Sequence, residues 1–326
     1  MDDRALVAVF IRKLREAYTI MEIASLKQPP LNTTLMGCIK GASDYFDGDR
    51  STPMLFGLTG HAFLVNIHKD LHPSSPYVWH KKRFWELLAG IGVDMVAEYA
   101  LNRDTSESER RLLEDRLKGH LDEGRLCMLN FLEHQLFSGY DERGFALLRP
   151  WGGRAPSEVP ALSFGTWEEC LAKEGWAHFA VLARTSSQKP IEQAARAALA
   201  YALELQTDPR PFEVDGYRIG TGAYENWIAG VERGLGASHG HGWNAMVWTE
   251  CRGKAAEFFG ELAELTTGAA AQGCGELQDR YREVAAAISS SAGAELSASE
   301  QVRFLKQARD AEQAASASFR TLAAAL

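Results

Sequence analysis

Two residue types able to do chemistry together stand about a hundred positions apart, Cys38 and His134. A nucleophilic cysteine needs its thiolate stabilised, usually by a helix N-terminus and a partnering imidazole. Cys38 lies four to six residues past the helix caps offered by Asn32, Thr33 and Thr34, so it falls early in a helix. It also falls on that helix's apolar face, with Leu35, Ile39, Ala42, Tyr45 and Phe46, where a small core residue serves equally well. His134 follows Glu133 at the head of a strand leading to Gly139-Tyr140-Asp141, and a histidine there can act as base and then acid. His178 opens the strand Phe179 to Leu182 and is the reserve base, while Glu133 or Asp141 could orient an imidazole.

A second unusual run is Phe56 to His68. Gly57 and Gly60 permit close backbone approach, and His61 and Asn66 sit among apolar neighbours. They are read as lining a pocket or satisfying loop backbone. His68, His72 and His80 follow, but their spacing matches no usual metal site, so no metal or other cofactor is implied. The glycine-flanked Ser238 to Trp243 reads as an inter-helix loop, and Tyr224, Trp227, Trp243 and Trp248 read as core.

These residues need elements to position them. A first helix with Leu6, Val9, Phe10 and Leu14 on one face ends before Pro29-Pro30, and the Cys38 helix follows. Met54 to Ile67 reads as strand, tight turn and strand. Helices are expected around His80 to Ala89 and over Glu107 to Asp122, then strands over Arg125–Phe131, Gln135–Ser138 and Gly144–Leu148. Gly139-Tyr140-Asp141 reads as the turn before the third of these. A Gly/Pro-rich loop leads to a short helix at Trp167 to Lys173 and a strand at Ala177 to Arg184. From Pro190 on the chain reads as five helices: Ile191–Gln206, Gly222–Leu235, Trp243–Thr266, Gly275–Ser289 and Ser297–Ala325. Their alanine-rich faces pack closely and offer a surface for a homodimer.

Composition narrows the function classes. The 326 residues suffice for about two domains, and 46% hydrophobic with 24% charged residues is ordinary for a globular protein. A net charge of −8 without a basic stripe argues against nucleic acid. The start Met1-Asp2-Asp3-Arg4 is unlike a signal peptide, and no early apolar run could span a bilayer, so a cytoplasmic protein without membrane association is expected. Five scattered cysteines without CxxC spacing argue against disulfides and structural zinc.

The Cys38 helix, the segment Leu55-Phe56-Gly57-Leu58-Thr59-Gly60-His61-Ala62-Phe63 and the strands closing on Gly139-Tyr140-Asp141 together resemble the butirosin-biosynthesis H-protein N-terminal family. That family is related to papain-like cysteine peptidases of the bacteriocin-processing type, and the resemblance covers about residues 30 to 186. It implies an α+β papain-like domain over 1–186, followed by an all-α domain over 187–326. It also implies acyl chemistry, an acyltransferase or an amide or thioester hydrolase, with Cys38 as nucleophile and His134 as base. The substrate would be a small molecule or a carrier-protein thioester, in a biosynthetic setting. The chain departs from the pattern at three places, the first being that Cys38 lies on an apolar helix face. Glu133 stands where the related peptidases carry histidine, and Arg149-Pro150 where they carry Asp-Pro. The other reading is a papain-like protein that binds a metabolite or a protein partner without turnover.

Overall fold

The structure is a computed structural model and describes residues 21–148, 150, 162–163 and 175–326. In chain order its elements begin β1 (Met21–Glu22), α1 (Thr34–Tyr45), α2 (Thr52–Leu58), β2 (Asn66–His68) and α3 (Lys82–Ala89). There follow β3 (Val93–Asn102), α4 (Glu107–Asp122), β4 (Leu126–Phe131), β5 (Glu133–Tyr140), β6 (Gly144–Leu147), β7 (Leu162–Ser163) and β8 (Trp176–Arg184). The rest is α5 (Ile191–Thr207), β9 (Tyr217–Ile219), α6 (Thr221–Glu232), α7 (His239–Glu264), α8 (Gly268–Ser291), α9 (Ala298–Ala317) and α10 (Phe319–Ala325). The chain is mixed α+β with an all-helical C-terminal region, and no helix of the described residues is long and apolar enough to cross a membrane.

The contacts divide this chain into two compact units, and the division is not the single boundary near residue 186 expected from sequence texture. The described residues within 21–49 and 93–185 form the first unit; residues 50–92 and 186–326 form the second. The segment bearing Gly57, Gly60, His61 and Asn66 therefore belongs with the C-terminal helices.

In the first unit β3, β8, β4, β5, β6 and β7 lie side by side, and β1 adds to β5; every pairing is antiparallel. Residues paired across antiparallel strands share a sheet face. Cys127 Sγ donates to Leu117 O at 3.7 Å and Tyr99 OH lies 2.9 Å from His120 Nε2, so these residues face α4. Leu136 faces α1, which approaches so closely that a Cβ on Gly41 would lie 2.9 Å from Leu136 Cδ1. A capping box at Ser106 and Glu109 starts α4.

The second unit packs α5 to α10 with α2, α3 and the β2–β9 ribbon. Its centre is aromatic: Phe63 lies within ring contact of Phe258, Phe259, Tyr281 and Phe319. Trp227 and Trp248 are fully buried.

Several local expectations change. Thr52 to Leu58 is a helix, not a strand, because the Ser51 side chain accepts the Met54 N–H and Pro53 suits a first helical turn. Gly139 and Tyr140 continue β5, and the turn lies at Asp141 to Gly144. His239 starts α7, with Ser238 capping by accepting from His241 N, so Ser238 to Trp243 is a helix start rather than a loop. Strand β3 was not anticipated. The expected helices at Leu6 to Leu14 and Trp167 to Lys173 lie outside the described residues, as does Arg149.

Candidate functional site

The chemistry-bearing residues of the first unit meet along the seam between α1 and β5. Thr34 is the first residue of α1. Its Oγ1 donates to Glu133 Oε2 at 2.7 Å and accepts the His134 N–H at 3.1 Å. The Gln28 amide then imitates a neighbouring strand: Nε2 donates to His134 O at 2.9 Å, and Oε1 accepts Leu136 N–H at 3.0 Å. Just before this seam, Leu132 turns the chain between β4 and β5 at φ 57°, a left-handed backbone unusual for a bulky residue.

Since both main-chain groups of His134 point at Thr34 and Gln28, its cross-strand pair with Asn130 is the non-hydrogen-bonded kind, with Cα atoms about 4.5 Å apart. Asn130 turns its own main chain to β8, where its partner is His178. The register thus lays His134, Asn130 and His178 in one row on the α1 side of the sheet. The row grades from interior to surface, with His134 2% exposed, Asn130 half-buried and His178 exposed. The Trp176 ring lies 5.1 Å from that of His178.

Cys38 lies one helical turn beyond Thr34, on the stripe that continues to Gly41 and faces β5. Cys38, Glu133 and His134 therefore lie along one seam. The state of the sulfur differs from what catalysis needs. Cys38 is 0% exposed. Burial, and secondarily the Glu133 carboxylate, push its thiol well above the usual range.

Asp141 is not an orienting group. It stands seven residues beyond His134 along an extended strand, about 23 Å at the usual rise. It accepts from Arg143 N, Nε and Nη2 and from Gly144 N, and the Arg143 hydrogen bond holds its carboxyl below the usual range. Glu133 spends one carboxylate oxygen on Thr34.

The residues expected to line a pocket do other work in the second unit. A Cβ on Gly57 would come 2.1 Å from the Phe258 ring, and Gly60 takes φ 74° against Tyr201. His61 is 1% exposed and surrounded by Phe56, Trp79, Phe84 and Trp248. Burial first, then the Arg252 and Lys81 charges, push it down to about 3, so it stays neutral. Cys251 Sγ lies 3.7 Å from its Nδ1. Asn66 Nδ2 donates to Ser75 O at 2.7 Å and Val78 O at 2.8 Å, satisfying loop backbone.

The largest charged feature of this unit was not foreseen. Arg252 pairs with Glu312 in full burial and donates to the carbonyls of Ala62, Phe63 and Leu64, while Tyr224 OH donates to Glu312 at 2.6 Å. Gln28 and Asn130 were likewise not foreseen, and Thr34 was expected only as a helix cap, since their partners are set by register and distant chain. Among the described residues no group of three or more His, Cys, Asp or Glu could hold a metal ion. A scan against protein-family models and a search of curated proteins each returned no match.

Proposed function

We propose that the first unit is a papain-like domain that binds a small molecule or a protein partner without turning it over. The observation that carries this reading is the Cys38 thiol, wholly buried and held protonated by burial and the Glu133 charge. Acyl transfer from a thioester or amide would need that thiol to ionise, and ionisation in apolar surroundings beside a carboxylate is doubly opposed. The helix N-terminus, where a thiolate gains most, carries the hydroxyl of Thr34 bonded to Glu133. The departure at Glu133 thus forms part of a clasp that closes the seam. The exposed His178 and half-buried Asn130 and Trp176 supply hydrogen-bonding groups and an aromatic face for a ligand.

The test is the pH profile of Cys38 alkylation by iodoacetamide in the folded protein, with the site read by peptide mass. Binding without turnover predicts no preferential Cys38 labelling below neutral pH and labelling only on unfolding. Rapid labelling of folded protein there would restore the Cys38–His134 acyltransferase or hydrolase.

A further inference from the structure

The second unit carries a polar cluster that the reading above does not use, on the loop between β2 and α3. Three groups stand in line. His72 Nδ1 lies 2.6 Å from Ser74 Oγ, and Ser74 Oγ lies 2.7 Å from Tyr217 OH on β9. One order of protons satisfies all of these contacts. Ser74 N–H donates to His72 Nδ1 at 3.2 Å, so that nitrogen carries a lone pair and no proton. In that order the Ser74 hydroxyl donates its one hydrogen to Nδ1, and Tyr217 donates to the serine oxygen. The result is a hydroxyl aimed at an imidazole acceptor, the relation that activates a serine nucleophile.

The loop is built to hold this line. Asn66, 0% exposed, donates to Ser75 O and Val78 O, while Ser75 Oγ accepts His68 N–H and donates to His72 O. Asn244, also 0% exposed, donates to His72 O from α7. Leu71 is held at φ 53° between these anchors, with its side chain against Gly230 and its carbonyl against Gly240. Buried amides and a strained bulky residue thus fix a segment whose outward groups are solvent-accessible: His72 is exposed, Ser74 and Tyr217 half-buried. Rigid support beneath exposed polar groups is what a reactive site requires, and solvent contact alone would not select it.

We propose that Ser74 is a nucleophile toward activated carboxylic esters, with His72 as its base and Tyr217 as a hydrogen-bond donor at the reacting oxygen. Ser74 Oγ bonds to the carbonyl carbon while its proton passes to His72 Nδ1. The bond from that carbon to the alkoxide oxygen breaks, and the alkoxide takes the proton and leaves as the alcohol. Water then attacks the acyl-serine through the same nitrogen, releasing the acid and restoring the hydroxyl. This activity is independent of Cys38.

A fluorophosphonate probe tests it, because displacement of fluoride by Ser74 Oγ leaves a stable phosphonyl-serine readable by peptide mass. The full chain should gain one adduct, on Ser74. Ser74→Ala should abolish it, and His72→Gln should slow it about 100-fold, the range of general-base assistance, with both variants checked for unchanged melting. Absence of an adduct on the folded protein overturns the proposal. So does an adduct that persists in Ser74→Ala, or one on Ser74 whose rate ignores His72→Gln. Cys38 alkylation is read on a different residue, so either result can fail alone.

Discussion

The two units spend their buried polar groups differently. In the second, Arg252, Glu312, Tyr224 and the carbonyls of residues 62–64 form a sealed network whose side chains are at most 1% exposed. In the first, Thr34 and Gln28 tie down the main chain of β5, and the row beyond them opens through Asn130 to exposed His178. A sealed network serves architecture, since nothing outside can reach it. A graded row, fixed at its buried end and accessible at the other, is what a recognition surface needs. Conspicuous residue types mislead here: His61 and Asn66 belong to the architecture, while plain Asn130 sits in the row.

Breaking the sealed network should cost most. Arg252→Ala leaves the Glu312 carboxylate buried without its cation, and we expect a loss of about 3–5 kcal/mol in denaturant unfolding. A loss below about 1 kcal/mol would mean that the pair is not sealed.

Acid probes the same unit more gently. The folded state holds His61 near 3, whereas the unfolded chain has the ordinary value of 6.5. Between those values the unfolded state binds more protons, so stability is full above 6.5 and falls as pH drops. The decline should reach about 2–3 kcal/mol two pH units below the unfolded value, at 1.36 kcal/mol per unit. His61→Leu should flatten it in pH-dependent melting.

Smaller changes should come from the first unit. Gln28→Ala strips partners from His134 O and Leu136 N–H, a loss of about 1–3 kcal/mol. Hydrogen exchange should accelerate at Leu136 but not in α7, which would keep the two assemblies separate. Thr34→Val removes one hydroxyl from the clasp, and we expect a loss of about 1 kcal/mol in denaturant unfolding.

Strand content was legible where short apolar runs are bounded by turn residues, as at β4, β5 and β8, and the Cys38 helix announced itself through its 3.6-residue apolar stripe. Strand β3 escaped because a bulge between Met95 and Ala97 shifts the phase, so neither face reads as continuous. The run from Met54 to Ile67 looked extended because a short apolar stretch carries no period of its own, and the Ser51 and Pro53 start signals were outweighed by its glycines. Pairings such as Gln28 with β5, or residues 50–92 with the C-terminal helices, depend on chain segments far apart. No local pattern encodes them. Cys38 and His134 drew attention to the seam, but the complete burial of Cys38 is a tertiary property.

The central claim is that Cys38 stays a thiol, and thiolate absorbance measures this directly. Titrating the folded protein against Cys38→Ala, we predict superimposable curves up to the ordinary thiol value of 9.0. Extra thiolate in the wild type below neutral pH, absent from Cys38→Ala, would contradict the account and return Cys38 to the role of nucleophile.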